Sequence, residues 1–279
     1  MIVSRAGTLP VLKPFRLRGA PGMPFRLSAR HGALVALALC LAICMGEAQA
    51  AAGTPSILAT LLKWTPLLAQ GFGLDVAMSF LAMAIGTVTG VAVGLALISL
   101  HAPVRGPAWL VTQIFRNAPW LVLLFYCMLL LPFELHIGGL AIPLPDWLKA
   151  TFGLALAVMA NVAELVRGAI RSIPYGQWEA SEAMAFTRRQ TLWMVILPQC
   201  VKRITPPWMN LYAILVAGMP LTSVVGVSDS MTLVGDILSS EGRNELLVPL
   251  YLYLLLWFFL YCYPIARATT VLERQFQVK

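Results

Sequence analysis

Charged residues are scarce in this sequence: they make up only 11% of the 279 residues, whereas 59% are hydrophobic, and the mean hydropathy is +0.80. This composition excludes an ordinary water-soluble globular protein. The apolar runs are about 20 residues long, unlike the ten-residue alternations of a membrane barrel, and a helix satisfies its own backbone in lipid. The sequence therefore predicts an all-α membrane protein.

The sequence also lacks the motifs of common enzyme and metal sites. It has no G-x-x-x-x-G-K-[ST] loop for ATP, no H-E-x-x-H, no G-x-S-x-G and no recognisable pair of buried carboxylates. The three histidines lie far apart, and the five cysteines, without a C-x-x-C pair, are Cys40, Cys44, Cys127, Cys200 and Cys262. We therefore expect no catalytic residue, metal site, disulfide or cofactor, and any ATP hydrolysis must come from a separate subunit.

Acidic residues are outnumbered, with 12 Asp and Glu against 20 Lys and Arg, but the arrangement of the charges matters more than their sum. If the polar stretch 171–203 faces the cytoplasm, all but three of the 20 basic residues fall on that side. The three exceptions are Lys63, Lys149 and Arg243. Lysine and arginine concentrate on the cytoplasmic side of membrane proteins. The distribution of charge thus indicates a multi-pass membrane protein with a cytoplasmic C-terminus, and not a nucleic-acid partner.

The N-terminal part of the chain leaves two interpretations open. Residues 1–31 are basic and proline-containing without any acidic residue, and they predict a disordered cytoplasmic tail. The hydrophobic segment 32–50 is short and ends in Ala48-Gln49-Ala50, which is typical of a signal-peptide cleavage site. The segment is therefore either a sixth membrane helix or a cleaved signal peptide.

The rest of the chain predicts an interfacial segment, five core spans and a tail. Residues 51–74 are apolar but interrupted by Lys63, Pro66 and Gly71, which favours a periplasmic segment lying at the interface. The transmembrane domain 75–266 contains predicted spans at 76–100, 109–131, 150–170, 204–227 and 246–266, with loops at 133–149 and 228–244, and a cytoplasmic tail follows at 267–279. In the first span Gly86, Gly90 and Gly94 recur every four residues, which predicts close helix packing within the subunit.

The longest polar stretch, 173–207, lies between apolar segments and is the natural place for a soluble partner to bind. Pro174 and Gly176 are expected to end the preceding helix, and good helix formers predict one helix over residues 177–194. Small side chains beside Glu179 suit insertion of this helix into a groove on another protein. From the residues alone, a solvated connector is the alternative.

Motifs in and around this stretch are similar to those of permease subunits of binding-protein-dependent ABC importers. The loop signature is Glu179-Ala180-Ser181, then Ala185, then Leu197-Pro198. Further motifs resemble those of permeases of the polar amino acid type. They are Ala163-Glu164-Leu165-Val166-Arg167-Gly168, Gly176-Gln177-Trp178, Gln190-Thr191, Pro206-Pro207, and Phe115-Arg116-Asn117 with Pro119. The resemblance covers residues 71–266 and implies the type I importer fold with five core helices.

The resemblance also implies partners and a role for the loop. The partners are a cytoplasmic ATP-binding cassette ATPase dimer, a periplasmic or lipid-anchored solute-binding protein, and a second permease chain, identical or a sister. The loop would be the coupling helix, and its role passes by position to Gly176, Glu179, Ala180, Ser181, Ala185 and Pro198. The implied function is import of a polar amino acid or related solute by alternating access. The alternatives are a permease for a different small solute or a degenerate permease that does not transport.

The sequence departs from the family at three places. Ser181 stands where the family has alanine, which is nearly the same size. Ala185 stands where the family has glycine; it costs about 1 kcal/mol if the position needs a positive φ and is favourable if the backbone is helical. Residues 217–221 lack the charged residue that the family shows there. Polar candidates for the solute path are Asn117, Asn161, Glu164, Asn210, Thr222 and Ser223, with hydrogen bonding between helices as the alternative. Glu164 and Arg167, three residues apart, are expected to pair.

Overall fold

The computed structural model describes residues 29–49, 55–137 and 140–276. The predicted basic tail up to residue 28, the end of the small-residue site at Ala50 and the last three residues lie outside this part. The helices are α1 (Ala29–Gln49), α2 (Ile57–Leu97), α3 (Ala102–Asn117), α4 (Trp120–Leu130), α5 (Asp146–Arg171), α6 (Tyr175–Ala183), α7 (Arg188–Gln190), α8 (Leu197–Ala217), α9 (Ser230–Glu241) and α10 (Leu247–Phe276). A π-helical turn (Thr191–Ile196) precedes α8, and 3-10 turns lie at Met219–Val225 and Asn244–Leu246.

Four stretches of helix in the described part are long and apolar enough to cross a membrane: Ile57–Leu97, Asp146–Arg171, Arg188–Val225 and Asn244–Phe276. The pair α3 and α4 makes a fifth if both helices belong to one span. This agrees with the five predicted core spans. Helix α1 is not among them, although its Gly32 packs against the ring of Phe259 in α10. Its role as a sixth helix or a signal peptide stays open.

The predicted break between the interfacial segment 51–74 and the first span is wrong. Helix α2 runs from Ile57 to Leu97 without interruption and contains Pro66. Ser56 caps its start, since its Oγ accepts a hydrogen bond from the amide of Ala59 at 3.2 Å. Gly71 is required for packing and not for a break: a Cβ there would lie 2.9 Å from the Cα of Ser230 in α9.

The glycines of α2 form the predicted packing strip. A Cβ at Gly86, Gly90 or Gly94 would lie 2.5–2.7 Å from side-chain atoms of Val158, Val162 and Val166 in α5, respectively. Such distances are far shorter than a van der Waals contact, so the two backbones approach closely only because these side chains are absent. The prediction of close packing within one subunit is confirmed, and α2 and α5 form the centre of the bundle.

The predicted span 109–131 consists of two helices at an angle and is not one straight helix. Helices α3 and α4 meet at an angle of 108°, with the break at Ala118 and Pro119. Pro119 has no amide hydrogen and disfavours helical backbone in the residue before it, so Ala118 is extended with ψ of 135°. Helix α3 therefore leaves the axis of α4 and lies on α2 and α5.

Both predicted outer loops contain secondary structure. Residues 133–149 include an antiparallel pair, β1 (Glu134–Ile137) and β2 (Leu140–Pro143), with Glu134 opposite Pro143 and Ile137 opposite Leu140. Residues 228–244 include α9, which Asp229 caps by accepting a hydrogen bond from the Thr232 amide at 2.8 Å. The described part of the chain is therefore helical apart from this small antiparallel pair, and α10 continues beyond its predicted end to Phe276.

Candidate coupling loop and solute cleft

The polar loop leaves the bundle at the end of α5 and returns to it in α8, and hydrogen bonds at three places hold it. Arg203 of α8 donates hydrogen bonds to the carbonyl oxygen and the hydroxyl of Ser172, at 2.8 and 2.9 Å. Gln199 donates to the side-chain oxygen of Gln177 at 3.3 Å, which joins α8 to α6. Arg188 donates to the carbonyl of Ile98 at the end of α2, at 3.3 Å. The loop is thus fixed to the ends of α2 and α5, the two central helices.

Helix α6 presents most of the predicted coupling residues to solvent. Gly176, Glu179 and Ala180 are exposed, and Glu179 forms no ion pair in the described part of the chain. Ser181 is different, because it is only 5% exposed and its hydroxyl donates to the carbonyl of Gln177 at 2.8 Å. Ser181 therefore faces the permease body, while Glu179 and Ala180 face outward.

The single helix predicted over residues 177–194 is wrong, because α6 ends in a tight turn at Ala185. Ala185 has φ of +59°, the left-handed conformation. Its amide donates to the carbonyl of Glu182 at 2.9 Å, and the amide of Phe186 donates to the carbonyl of Ser181 at 3.1 Å. These two bonds form a Schellman motif, whose left-handed position usually holds glycine. The alternative of a positive φ at Ala185 therefore holds.

The chain restarts as a helix directly after this turn. The hydroxyl of Thr187 accepts a hydrogen bond from the amide of Gln190, and the side chain of Gln190 accepts one from the amide of Thr187 at 2.9 Å. This capping box starts α7. Pro198, one of the predicted coupling residues, is exposed and has no amide hydrogen to donate to the preceding turn. The amide of Leu197, the residue before it, donates to the carbonyl of Leu192, which is the i to i−5 bond of a π-helical turn. Pro198 thus lies at the end of a widened turn.

Several large apolar side chains of the loop are exposed. Tyr175 and Met184 are 73% and 70% exposed, and Trp193 and Met194 are exposed beside Arg189 in an open cleft of about 460 Å³. Exposed apolar side chains that lie together in this way are typical of a binding surface for another protein.

Three of the predicted solute-path residues lie together in a second cleft. Asn161 of α5 and Asn210 of α8 line a cavity of about 390 Å³ with Glu164 and Arg116. Glu164 accepts hydrogen bonds from Nε and Nη2 of Arg167 at 3.0 and 2.5 Å, so the predicted pair is confirmed. Arg116 of α3 lies 3.7 Å from the same carboxylate oxygen. The cleft thus combines two amides with a carboxylate that two arginines share.

The other three candidates lie outside this cleft and make local hydrogen bonds. Asn117 donates to the carbonyl of Gln113 at 2.7 Å, and Ser223 donates to the carbonyl of Pro220 at 2.7 Å. Thr222 is buried and donates to the carboxylate of Asp229 at 2.9 Å. The structure therefore brings together only Asn161, Asn210 and Glu164 from the candidate set.

Two buried carboxylates were not indicated by the sequence pattern. Asp75 and Asp229 are 1% and 0% exposed, and the hydroxyl and the amide of Ser230 both donate to Oδ2 of Asp75. Oδ1 of Asp75 has no hydrogen-bond partner in the described structure. The available signal was an acidic residue at the start of an apolar run, facing a predicted outer loop.

The segment that lacks the family's charged residue is built for packing. Helix α8 ends at Ala217, and a Cβ at the next residue, Gly218, would lie 3.1 Å from the ring of Trp120 in α4. The aromatic ring fills the space beside this turn. A long charged side chain at Gly218 would displace it.

The apolar spanning helices, the broken α3–α4 pair and the anchored, exposed loop define a multi-pass membrane transport component. Residues 86–277 match the family of binding-protein-dependent transport system inner membrane components. The chain belongs to this family.

Relatives and solved structures agree with this membership. The probable amino-acid ABC transporter permease protein YckA of Bacillus subtilis is 30% identical over 211 residues, which cover 76% of this chain and 89% of YckA. The L-cystine transport system permease protein TcyB of the same species is 27% identical and covers 75% of this chain and 86% of TcyB. Among solved structures, a chain of an amino acid ABC transporter crystallised with histidines superposes with a TM-score of 0.68 at 25% identity, covering 80% of this chain and 99% of that one. A chain of the MetNI methionine ABC transporter has the same fold, with a TM-score of 0.61 at 21% identity, covering 77% of this chain and 99% of that one.

Proposed function

We propose that this protein is the permease subunit of an ATP-driven importer in the bacterial inner membrane, and that it carries a polar amino acid or related small solute inward by alternating access. Helix α6 of the polar loop docks on a cytoplasmic ATPase dimer. A periplasmic or lipid-anchored binding protein delivers the solute, and a second permease chain completes the pathway. The observation that carries the proposal is the anchoring of an exposed loop to the ends of α2 and α5. A loop held in this way can pass movement of a partner directly to the central helices.

Support for an amino acid comes from the relatives and from the cleft. YckA and TcyB are named as amino-acid and L-cystine permeases, respectively. Asn161 and Asn210 offer amide donors and acceptors beside the ionic group of Glu164, which suits a solute with both amino and carboxyl groups. We assign the inner part of the solute path to this cleft.

The docking role of α6 is tested by charge reversal at Glu179. The wild-type complex with its ATPase and binding protein, reconstituted in proteoliposomes, is expected to hydrolyse ATP faster when the loaded binding protein is added. Glu179→Lys should abolish this stimulation, because it places a cation in the middle of the docking surface. Glu182→Lys is the matched control, since Glu182 is exposed on the same helix and also lacks an ion pair in the described structure. Full stimulation of the Glu179→Lys complex would rule out the assignment.

A different small solute is the second candidate, and the packed segment at Ala217–Leu221 favours it. This segment offers no charge to a solute, whereas the family pattern has one there. Titration calorimetry on the partner binding protein separates the two candidates: heats of binding with amino acids support the first, and heats with other small solutes only support the second.

A further inference from the structure

A basic cleft of about 430 Å³ lies between α3 and the C-terminal half of α5. Its charged lining consists of Arg105 and Arg116 from α3, Arg167 and Arg171 from α5, and Glu164. It touches the solute cleft only through Arg116 and Glu164. Four guanidinium groups thus face a single carboxylate.

One oxygen of this carboxylate, Oε2, already pairs with two of the arginines. Glu164 is bonded to Arg167 at 2.5 Å and lies 3.7 Å from Arg116. Arg105 and Arg171 form no ion pair in the described ranges, and both are exposed. The cleft therefore carries a surplus of positive charge, concentrated on two arginines that are free to bind an anion.

The surroundings of the cleft are those of a membrane interface. Helix α3 is amphipathic: Arg105 and Arg116 lie on one face, while Leu110 and Ile114, each more than half exposed, lie on another. The bend of 108° takes α3 out of line with the span α4. An amphipathic helix with arginines on its polar face and exposed apolar residues on the other is suited to lie among lipid headgroups. Trp109, which lines the cleft, is of the type enriched at this depth.

The position of Arg171 sets the leaflet. It is the last residue of α5 and lies directly before the polar loop that we place in the cytoplasm. The cytoplasmic leaflet is rich in anionic lipid, and basic pockets between helices on that side bind anionic headgroups. The planar fork of arginine matches two oxygens of a phosphate group.

We propose that this cleft binds the phosphate of an anionic phospholipid of the inner leaflet, with Arg105 and Arg171 as the direct contacts. The ion pairs of Glu164 hold Arg116 and Arg167 behind the phosphate and keep the cleft open. The apolar face of α3 gives the acyl chains a surface beside the headgroup. A bound lipid would fasten α3 to the end of α5, next to the coupling loop.

The test uses the full-length chain in detergent, titrated with phosphatidylglycerol or phosphatidylcholine. We expect phosphatidylglycerol to raise the thermal midpoint and to be retained in native mass spectra, and phosphatidylcholine to do neither. The double variant R105Q/R171Q should bind phosphatidylglycerol roughly 30-fold more weakly, the equivalent of about 1 kcal/mol for each arginine. The control K202Q/R267Q removes the same charge from α8 and α10 and should bind as the wild type does.

Three results would overturn the proposal. The first is an equal response to the two lipids, and the second is an equal loss of binding in the control variant. The third is a rise in the thermal midpoint with inorganic phosphate as large as that with lipid, which would indicate that the cleft binds a free anion. If the double variant does not fold, R105Q alone decides the question, because the side chain of Arg105 makes no hydrogen bond or ion pair in the described structure. This single variant should bind about fivefold more weakly, the share of one arginine.

Discussion

Ala185 lies in an unfavourable backbone conformation, and the loop around it nevertheless keeps its hydrogen-bonded structure. Its φ of +59° is in the left-handed region, which disfavours any residue with a Cβ. The two Schellman bonds and the capping box on either side hold the chain in this turn. The family's glycine at this position is therefore explained by geometry.

We predict that Ala185→Gly stabilises the protein by about 1 kcal/mol, because glycine adopts the left-handed conformation without strain. The measurement is the denaturation midpoint in detergent or mixed micelles. Ala183→Gly, within α6, is the matched control and should destabilise by about 1 kcal/mol, since its backbone is helical. A loss of stability in Ala185→Gly would show that the turn is not left-handed.

Glu241 gives the fold a pH-dependent contact between α9 and the start of α2. Lys63 and Trp64 donate hydrogen bonds to its Oε1 at 2.8 and 2.7 Å. These bonds, led by that of Lys63, lower the pKa of the Glu241 carboxyl below its ordinary value of 4.5. Stabilisation from a carboxylate with a lowered pKa is complete above that ordinary value and is lost as the pH falls through the lowered one.

We therefore expect the thermal midpoint of the wild type to fall as the pH is lowered below 4.5, with part of the fall due to Glu241. In Glu241→Gln this part should be missing, since glutamine has no proton to gain. Midpoints of both proteins are compared between neutral pH and the acid range. Parallel curves for the two proteins would contradict the prediction.

At the scale of elements, the contact between α2 and α5 is the central packing of the molecule. Its closeness depends on three glycines that face valines across the interface. Ser79 of α2, Tyr212 of α8 and Tyr261 of α10 share hydrogen bonds of 3.2 and 2.8 Å, so α8 and α10 are joined to the same centre. A change that separates α2 from α5 should therefore disturb most of the bundle.

We predict that Gly90→Ala destabilises the protein by roughly 1–3 kcal/mol, the usual range for an extra methyl group forced into a well-packed core. The new Cβ would lie 2.7 Å from the carbonyl oxygen of Met159, which is backbone and cannot turn aside. Gly73→Ala is the control on the same helix, because a Cβ there meets nothing within 4 Å. It should be neutral or gain about 1 kcal/mol from helix propensity. Similar midpoints for the two variants would show that the strip does not pack as described.

At the scale of the molecule, the proposed orientation puts the coupling loop and the hairpin on opposite sides of the membrane. Met184 at the end of α6 and His136 in β1 are both exposed. In a background without the five native cysteines, a cysteine at Met184 should react with a membrane-impermeant maleimide only in inside-out vesicles. A cysteine at His136 should react only in right-side-out vesicles. Labelling of both from the same side would exclude this topology.

Much of the fold was predictable because lipid imposes simple rules on a sequence. Apolar length indicated the spans, and the four-residue glycine period indicated the α2 packing strip. The breaks were harder to place. Pro66 does not interrupt α2, whereas Pro119 bends its helix by 108°, since helix continuity depends on what packs around each proline. The antiparallel strands had a sequence signal, the Gly138-Gly139 dipeptide between two short apolar runs. Two short runs of this kind are weak evidence for strands in a chain whose other apolar segments predict helices.

By itself the sequence determined the membrane class, the five core spans and the loop with its family motifs, because hydropathy and motif spacing are properties of the chain read in order. Only the tertiary structure decided the conformation of Ala185, the burial of Ser181 and the placing of Asn161 beside Asn210. It also revealed Asp75 against Ser230 and the cluster of arginines around Glu164. The conformation of Ala185 depends on a hydrogen-bonded turn that the residue type alone does not reveal. The other features depend on residues from separate helices, which come together only when the helices pack.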